Sequence, residues 1–207
     1  VLREVFAGAR KVLEIGSGTG QHAVHFATHL PHLIWQPADL AENLPGIELW
    51  RAEAAPGPVA ADRSVGLPNL LPPLVLDVNR PRWPETGADA VFSANTLHIM
   101  SWSEVRLFFA GVGRVLPADG VLAVYGPFNY GGRYSSQSNA RFDRSLRSRD
   151  PHSGVRDFEA VDALAAEQKL VLERDVAMPA NNRTLVWRRE VVHTAHRSGA
   201  SPHHSRA

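Results

Sequence analysis

The chain has 207 residues, enough for one domain with a full core, and its hydrophobic (44%) and charged (21%) fractions are those of an ordinary globular protein. A formal net charge of +1 gives no electrostatic reason to expect nucleic acid or a membrane surface as partner, and no apolar run approaches the ~20 residues of a membrane span. Cysteine is absent, which excludes disulfides, thiolate metal sites and cysteine nucleophiles together and fits a cytoplasmic protein.

Val12 to Ile15 is a short buried-strand candidate, and Gly16 to Gly20 is the turn that follows it. Ala23, Phe26, Ala27 and Leu30 then recur at helical spacing until Pro31 closes that helix. Leu33 to Gln36 reads as a second strand that runs on to Asp39. "GIELWRAEAA" looks helical, and the Pro- and Gly-rich stretch over 56–73 reads as a long loop. Leu74 to Val78 is expected as a third strand, ending around Asp77, and Ala88 to Ser93 as a fourth.

Ser101 and Glu104 have the spacing of a capping box, and Val105, Phe108, Phe109, Val112 and Leu116 mark the buried face of the helix it opens. Val121 to Tyr125 is a fifth strand. "GPFNYGGRYSSQSNARFD" is a polar, aromatic insert. Asp157 can cap a helix carrying Phe158, Val161, Leu164 and Ala165, and Leu170 to Val176 and Thr184 to Val192 are two β-rich runs. Strands alternating with helices argue for a parallel sheet covered on both faces, and two consecutive strands at the end argue for one antiparallel strand within it. One domain is expected over residues 1–192, and a disordered tail over the apolar-poor residues 193–207.

The glycine turn discriminates between ligands. A phosphate loop requires Lys and then Ser or Thr after its last glycine, where this chain has Gln21 and His22. A dinucleotide turn spaces its glycines G-x-G-x-x-G, whereas here they are Gly16, Gly18 and Gly20, with Ser17 between and Glu14 two residues ahead. Such a turn admits backbone close to a ligand, and the helix N-terminus behind it favours a carboxylate. S-adenosylmethionine has a carboxylate, an ammonium group, a ribose diol and an adenine, and no phosphate. Asp39, at the end of the second strand, can accept both ribose hydroxyls. Asp77 with the Val78 N–H, near the end of the third, can read adenine. The competing reading of the turn is a tight strand–helix corner without a ligand.

"VLEIGSGTGQHAVHFA", "WQPADL", "FSANTLHIMSW", "YGPFNYGG", "SNARFD", "RDFEAV" and "MPANNRTLVW" together resemble a methyltransferase-like family of bacteria and animals long filed as a domain of unknown function. The resemblance covers Val1 to about Arg188. It implies a Rossmann-like class I methyltransferase fold, with a seven-stranded, mostly parallel sheet whose last strand is antiparallel. It implies S-adenosylmethionine as cofactor, with S-adenosylhomocysteine as product, and no particular substrate. The segment that usually precedes the first strand in that family is mostly missing ahead of Val12, so the cover over the cofactor is expected to be incomplete.

Methyl transfer is an in-line displacement, and a base is needed only where the acceptor must lose a proton. His98, after the fourth strand, is the candidate base, against a packing role in its loop. Asn95 is counted with the cofactor residues, and fixing the loop or holding substrate are its alternatives. Asn129, Tyr130, Tyr134 and Asn139 of the insert, and Asn181 between the last strands, are candidates for orienting a small polar acceptor, against simple turn and hairpin roles. Arg133, Arg141 and Arg156 are candidates for attracting a carboxylate; Arg156 and Asp157 could instead pair with each other. His22, His25, His29 and His32 repeat at helical spacing, but no metal is assigned because nearby carboxylates and cysteines are lacking. The expected activity is methyl transfer to a small-molecule acceptor, with no nucleic-acid partner. The alternatives are a non-catalytic S-adenosylmethionine-binding module that regulates or scaffolds a partner, and a nicotinamide-dependent oxidoreductase.

Overall fold

The computed structural model describes residues 1–54 and 67–191. The expected tail over 193–207, and most of the loop expected over 56–73, lie outside the described residues. The elements in chain order are α1 (Leu2–Val5), β1 (Lys11–Ile15), α2 (Gln21–His29), β2 (Ile34–Asp39), α3 (Leu44–Glu53), β3 (Leu74–Val75), β4 (Ala90–Ala94), α4 (Trp102–Val115), β5 (Val121–Gly126), β6 (Phe128–Asn129), α5 (Gln137–Arg149), β7 (Arg156–Asp157), α6 (Phe158–Glu167), β8 (Leu170–Met178) and β9 (Asn182–Arg189).

Seven strands form one sheet in the order β3-β2-β1-β4-β5-β9-β8, while β6 and β7 pair separately. Strands β1 to β5 run parallel, and β9 is antiparallel to both β5 and β8. The strand order reverses between β1 and β4. In open α/β sheets, ligand crevices form outside the carboxyl ends of the strands at such a point.

Side chains alternate across the sheet with the period of two that a pleated strand imposes. Leu13, Ile15, Leu122, Val124, Leu185 and Trp187 face one core, where α4 contributes Phe108 and Val112 and α6 contributes Val161 and Leu164. Val12, Ala123 and Val186 face the other, where α1 and α2 contribute Val5, Ala23 and Ala27 beside Trp35 and Phe92. The central strands are buried on both sides, as parallel strands between two helix layers must be.

Three features depart from the sequence reading. The third strand has only two residues, because the chain turns at Asp77: its Oδ1 accepts the Asn79 N–H at 2.9 Å and its carbonyl accepts the Arg80 N–H. The polar insert contains a thirteen-residue helix, α5, whose buried positions are Asn139, Asp143 and Leu146. Two of those three are polar, so apolar periodicity does not reveal the helix. Asp157 does stand at the N-cap of α6, but its side chain makes no cap hydrogen bond.

The α4 capping box forms as expected. Ser101 Oγ accepts the Glu104 N–H at 3.3 Å, and Glu104 Oε2 accepts the Ser101 N–H at 2.7 Å. Ser101→Ala removes one cap partner and is expected to lower stability by about 1 kcal/mol in urea unfolding. In Glu104→Ala the same substitution should cost less, because the box is already broken.

Candidate functional site

The glycine turn is stitched to the end of β2. The Gly16 and Ser17 N–H groups donate to the Ala38 carbonyl at 3.0 and 3.2 Å, and Ser17 Oγ accepts the Ala38 N–H at 3.1 Å. Gly16 has a φ of +76°, and a Cβ there would lie 2.5 Å from Thr96 Oγ1 and 2.7 Å from its Cγ2. The missing side chain therefore lets the loop after β4 close down on the turn. Gly18 has a φ of +58°, and a Cβ there would meet nothing within 4 Å. It would project into a cleft.

That cleft has a volume of about 560 Å³. Its walls are the turn, the end of β2, the segment after β3 and the loop after β4. Gly16, Ser17, Gly18, Asp39, Asp77, Val78 and Asn95 all line it. Asp39 is held in place by its neighbours: Oδ1 accepts the Leu40 N–H at 2.7 Å and Asn43 Nδ2 at 2.8 Å, and Oδ2 accepts the Gly18 N–H at 2.6 Å. One acceptor site, on Oδ2, remains for a ligand. Asp77 is 3.6 Å from Arg80 Nε, and the Val78 N–H has no partner among the described residues. Leu40 and Ile99, 40% and 58% exposed, are large apolar side chains on the cleft wall. Asn95 has a φ of +57°, a conformation that asparagine tolerates better than most residues, and its N–H donates to the Tyr125 carbonyl.

Two residues of the glycine motif lie away from the cleft. Gly20 abuts α3, where a Cβ would come within 3.0 Å of the Ile47 backbone. Glu14 is buried in the sheet, 1% exposed, with Oε2 accepting Trp35 Nε1 at 2.8 Å and Oε1 unpartnered among the described residues. Burial, and to a smaller degree the Asp39 charge, push its carboxyl up to about 7 against the Trp35 hydrogen bond.

His98 lies away from the cleft as well. It is 6% exposed, packed edge-on against Phe142 with ring centroids 5.1 Å apart, and its carbonyl accepts the Gly154 N–H. Burial, then the nearby Arg156 charge, hold its pKa down at about 4. Arg156 is itself buried, and its guanidinium donates to the carbonyls of Leu97, Met100 and His152. It therefore neither pairs with Asp157 nor faces a cleft; it ties the chain before α6 to the loop after β4.

The residues expected to orient an acceptor are engaged within the protein. Tyr130 Oη donates to Asp175 Oδ2, and Tyr134 Oη to Asp143 Oδ2, each at 2.8 Å. Asn139 Nδ2 donates to Ser135 Oγ and to the Asn181 carbonyl, and Asn181 Nδ2 to Ser138 Oγ. Asn129 is buried, with one long bond to the Val155 carbonyl and an unpartnered Oδ1. Asp143, which periodicity did not flag, organises this region: it also accepts the Val155 N–H at 2.7 Å and Arg147 Nε at 2.9 Å.

Cleft residues that sequence reasoning missed include Asn43, Ile99, Met100 and His22. His22 had a sequence signal as a member of the histidine run, and Ile99 and Met100 only as part of "FSANTLHIMSW". Among the described residues, no group of three or more His, Cys, Asp or Glu is placed to hold a metal ion, and no helix is long and apolar enough to cross a membrane.

Gly16→Ala and Gly18→Ala both place a side chain at positive φ, at a cost of about 1–2 kcal/mol. Gly16→Ala adds the collision with Thr96 and is expected to lose about 1–3 kcal/mol more in denaturant unfolding. For His98, the folded pKa of about 4 lies below the ordinary 6.5. Its contribution to stability is whole above pH 6.5 and is lost as pH falls from there through 4, on the order of 3 kcal/mol in total. Unfolding of His98→Gln should show a shallower acid arm than wild type in that window; parallel curves would refute the burial of a neutral imidazole.

The solved structures similar to this chain include methyltransferases. An O-methyltransferase family protein from Burkholderia thailandensis superposes with a TM-score of 0.72 at 16% identity, covering 90% of this chain and 52% of that one. Human N-acetylserotonin methyltransferase, in complex with SAM, gives 0.71 at 12% identity, covering 90% and 49%. An O-methyltransferase family 2 protein from Planctomyces limnophilus, in complex with apigenin, gives 0.71 at 18%, covering 87% and 50%. The likeness is one of fold, and the chain spans about half the length of these structures. A family model described as "Protein of unknown function (DUF938)" matches residues 1–189, and with that span the chain belongs to this family.

Proposed function

We propose that this chain is an S-adenosylmethionine-dependent methyltransferase acting on a small-molecule acceptor. The observation that carries the reading is the cleft at the carboxyl edge of the sheet, where an open glycine cradle, a fixed carboxylate on β2 and an acid beside a free N–H after β3 converge. The donor set fits the ligand's parts. Asp39 would accept from a ribose hydroxyl at its remaining Oδ2 site. Asp77 would accept from the adenine amino group while the Val78 N–H donates to the ring. Leu40 and Ile99 supply apolar surface that a flat ring would cover. The first N–H groups of α2, which lack a side-chain cap, face a carboxylate's preferred place. Among the described residues, no lysine lines the cleft.

When bound, the sulfonium supplies a methyl group whose leaving partner is a neutral thioether. The protein's own part is to align the acceptor and exclude water. Asn95 and Thr96 form the wall of the cleft at the end of β4, next to the opening that an acceptor would use. The similar solved structures, two of them with SAM or a small aromatic compound named in their complexes, support this reading at the level of fold.

A second reading, a non-catalytic module that binds S-adenosylmethionine, draws support from one observation: His98, the expected base, is sealed away from the cleft. Incubation with labelled S-adenosylmethionine and a metabolite extract separates the two. Transfer predicts a methylated product and S-adenosylhomocysteine, both lost in Asp39→Ala. Uptake without S-adenosylhomocysteine would favour the module, and equal transfer by Asp39→Ala would overturn the ribose assignment. Gly18→Ala, which keeps the fold, is expected to weaken uptake at least tenfold in calorimetry.

A further inference from the structure

A second cavity, of about 450 Å³, adjoins the first. The two share His22, Ala94 and Asn95 in their walls, so they meet where α2 begins and β4 ends. The far wall comes from α1, α2, β5 and the end of β8. Its character differs from that of the first cavity. Phe26 and Phe92 stand edge to face with ring centroids 5.2 Å apart, and Tyr125 and Met178 add an aromatic ring and a polarizable thioether. Tyr125 Oη is engaged by Asn182 Nδ2 at 3.0 Å, so the ring is held in position. The polar part of the wall carries the Arg3 guanidinium beside the uncharged Asn95 and Thr184 and the His25 and His29 rings, and among the described residues no Asp or Glu lines it. A volume of this size suits a compound of one or two rings.

We propose that this second cavity is the methyl-acceptor site, that it takes a planar aromatic hydroxyl compound carrying an anionic group, and that His22 at the junction receives the hydroxyl proton. The proposal rests on the methyltransferase reading for the transfer step, though not for the binding step. The aromatic wall selects a flat ring. The Arg3 guanidinium on the wall favours an anion and disfavours a cation. A hydroxyl acceptor needs a base, and His22 is the titratable side chain with a face on both cavities. Burial and the neighbouring His25 lower its pKa below the ordinary value, which keeps the imidazole neutral and able to accept. The charged side chains that line the two cavities with it are Arg3 on α1 and, in the first cavity, Asp39, Asp77 and Glu104. In the step itself, the acceptor oxygen forms a bond to the methyl carbon as the carbon–sulfur bond breaks. That electron pair stays on sulfur as a neutral thioether. The hydroxyl proton passes to the His22 ring and then to water.

The test begins with binding to the intact chain. Calorimetry with S-adenosylmethionine examines the underlying reading, and titration with 4-hydroxycinnamate and with tyramine, a cationic phenol of similar length, examines the cavity. Expected are binding of 4-hydroxycinnamate, at least tenfold weaker binding of tyramine, and loss of 4-hydroxycinnamate binding in Met178→Trp, which fills the cavity while leaving S-adenosylmethionine uptake within twofold. Equal binding of the two probes, no binding of 4-hydroxycinnamate, or an undiminished affinity in Met178→Trp overturns the site. Cavity-dependent binding without S-adenosylmethionine uptake would leave the cavity standing and remove the methyltransferase reading. For His22→Gln, methyl transfer to 4-hydroxycinnamate should fall at least tenfold with both binding constants unchanged. Transfer to 4-nitrophenolate, already ionised at pH 8, should be spared. An equal loss on both acceptors, or no loss on either, refutes the role of His22.

Discussion

The contact between Gly16 and Thr96 governs the geometry of everything above the sheet. Neighbouring parallel strands β1 and β4 end side by side, and each must reverse direction in its own loop. With any Cβ at position 16, the two loops would be forced apart, because the Thr96 side chain occupies that space. Their close approach fixes the floor of the first cavity and, through Ala94 and Asn95, the passage to the second. Because strand order reverses here, no helix crosses over the gap, and a ligand can sit in it.

Polar side chains divide into two groups by this geometry. Those facing the cleft retain hydrogen-bonding capacity: Asp39 has one acceptor site left over, on Oδ2, and beside them the backbone N–H of Val78 is free among the described residues. Those buried in the segment after β5, Asn129 Oδ1 excepted, are spent within the protein. Asp143, buried in the middle of α5, holds Tyr134, Arg147 and the Val155 N–H, and Arg156 closes on three carbonyls. A buried carboxylate or guanidinium is tolerable only when its partners are fixed, so this segment is built as a rigid polar wall. Residues such as Tyr130 and Asn139, which in isolation suggest substrate contacts, serve that wall.

Much of the fold could be read locally. The strand–turn–helix from Val12 to Leu30, the Ser101–Glu104 box and the alternation of strands with helices depend on spacings within a few residues, and those spacings survive in the structure. The α5 helix was not legible, because its buried face is Asn139, Asp143 and Leu146, and burial of polar groups is decided by partners distant in sequence. The truncation of β3 at Val75 was hidden for a related reason: Asp77 can end a strand or cap a turn, and the Asn79 N–H settles which.

By itself, the sequence determined the α/β class, the glycine turn with its three close glycines, and the placement of Asp39 at the end of the second strand, since turn chemistry and period are properties of neighbouring residues. Tertiary structure alone decided which side chains reach open space. Glu14 and Asp39 are both acids beside the same turn, yet one lies against Trp35 inside the sheet and the other borders the cleft. His22 and His98 could each have been a base on chemical grounds, but the loop after β4 carries one into a packed interior while α2 presents the other at the meeting of two cavities. Such choices follow from how strands far apart in the chain are packed together, and no local pattern encodes that.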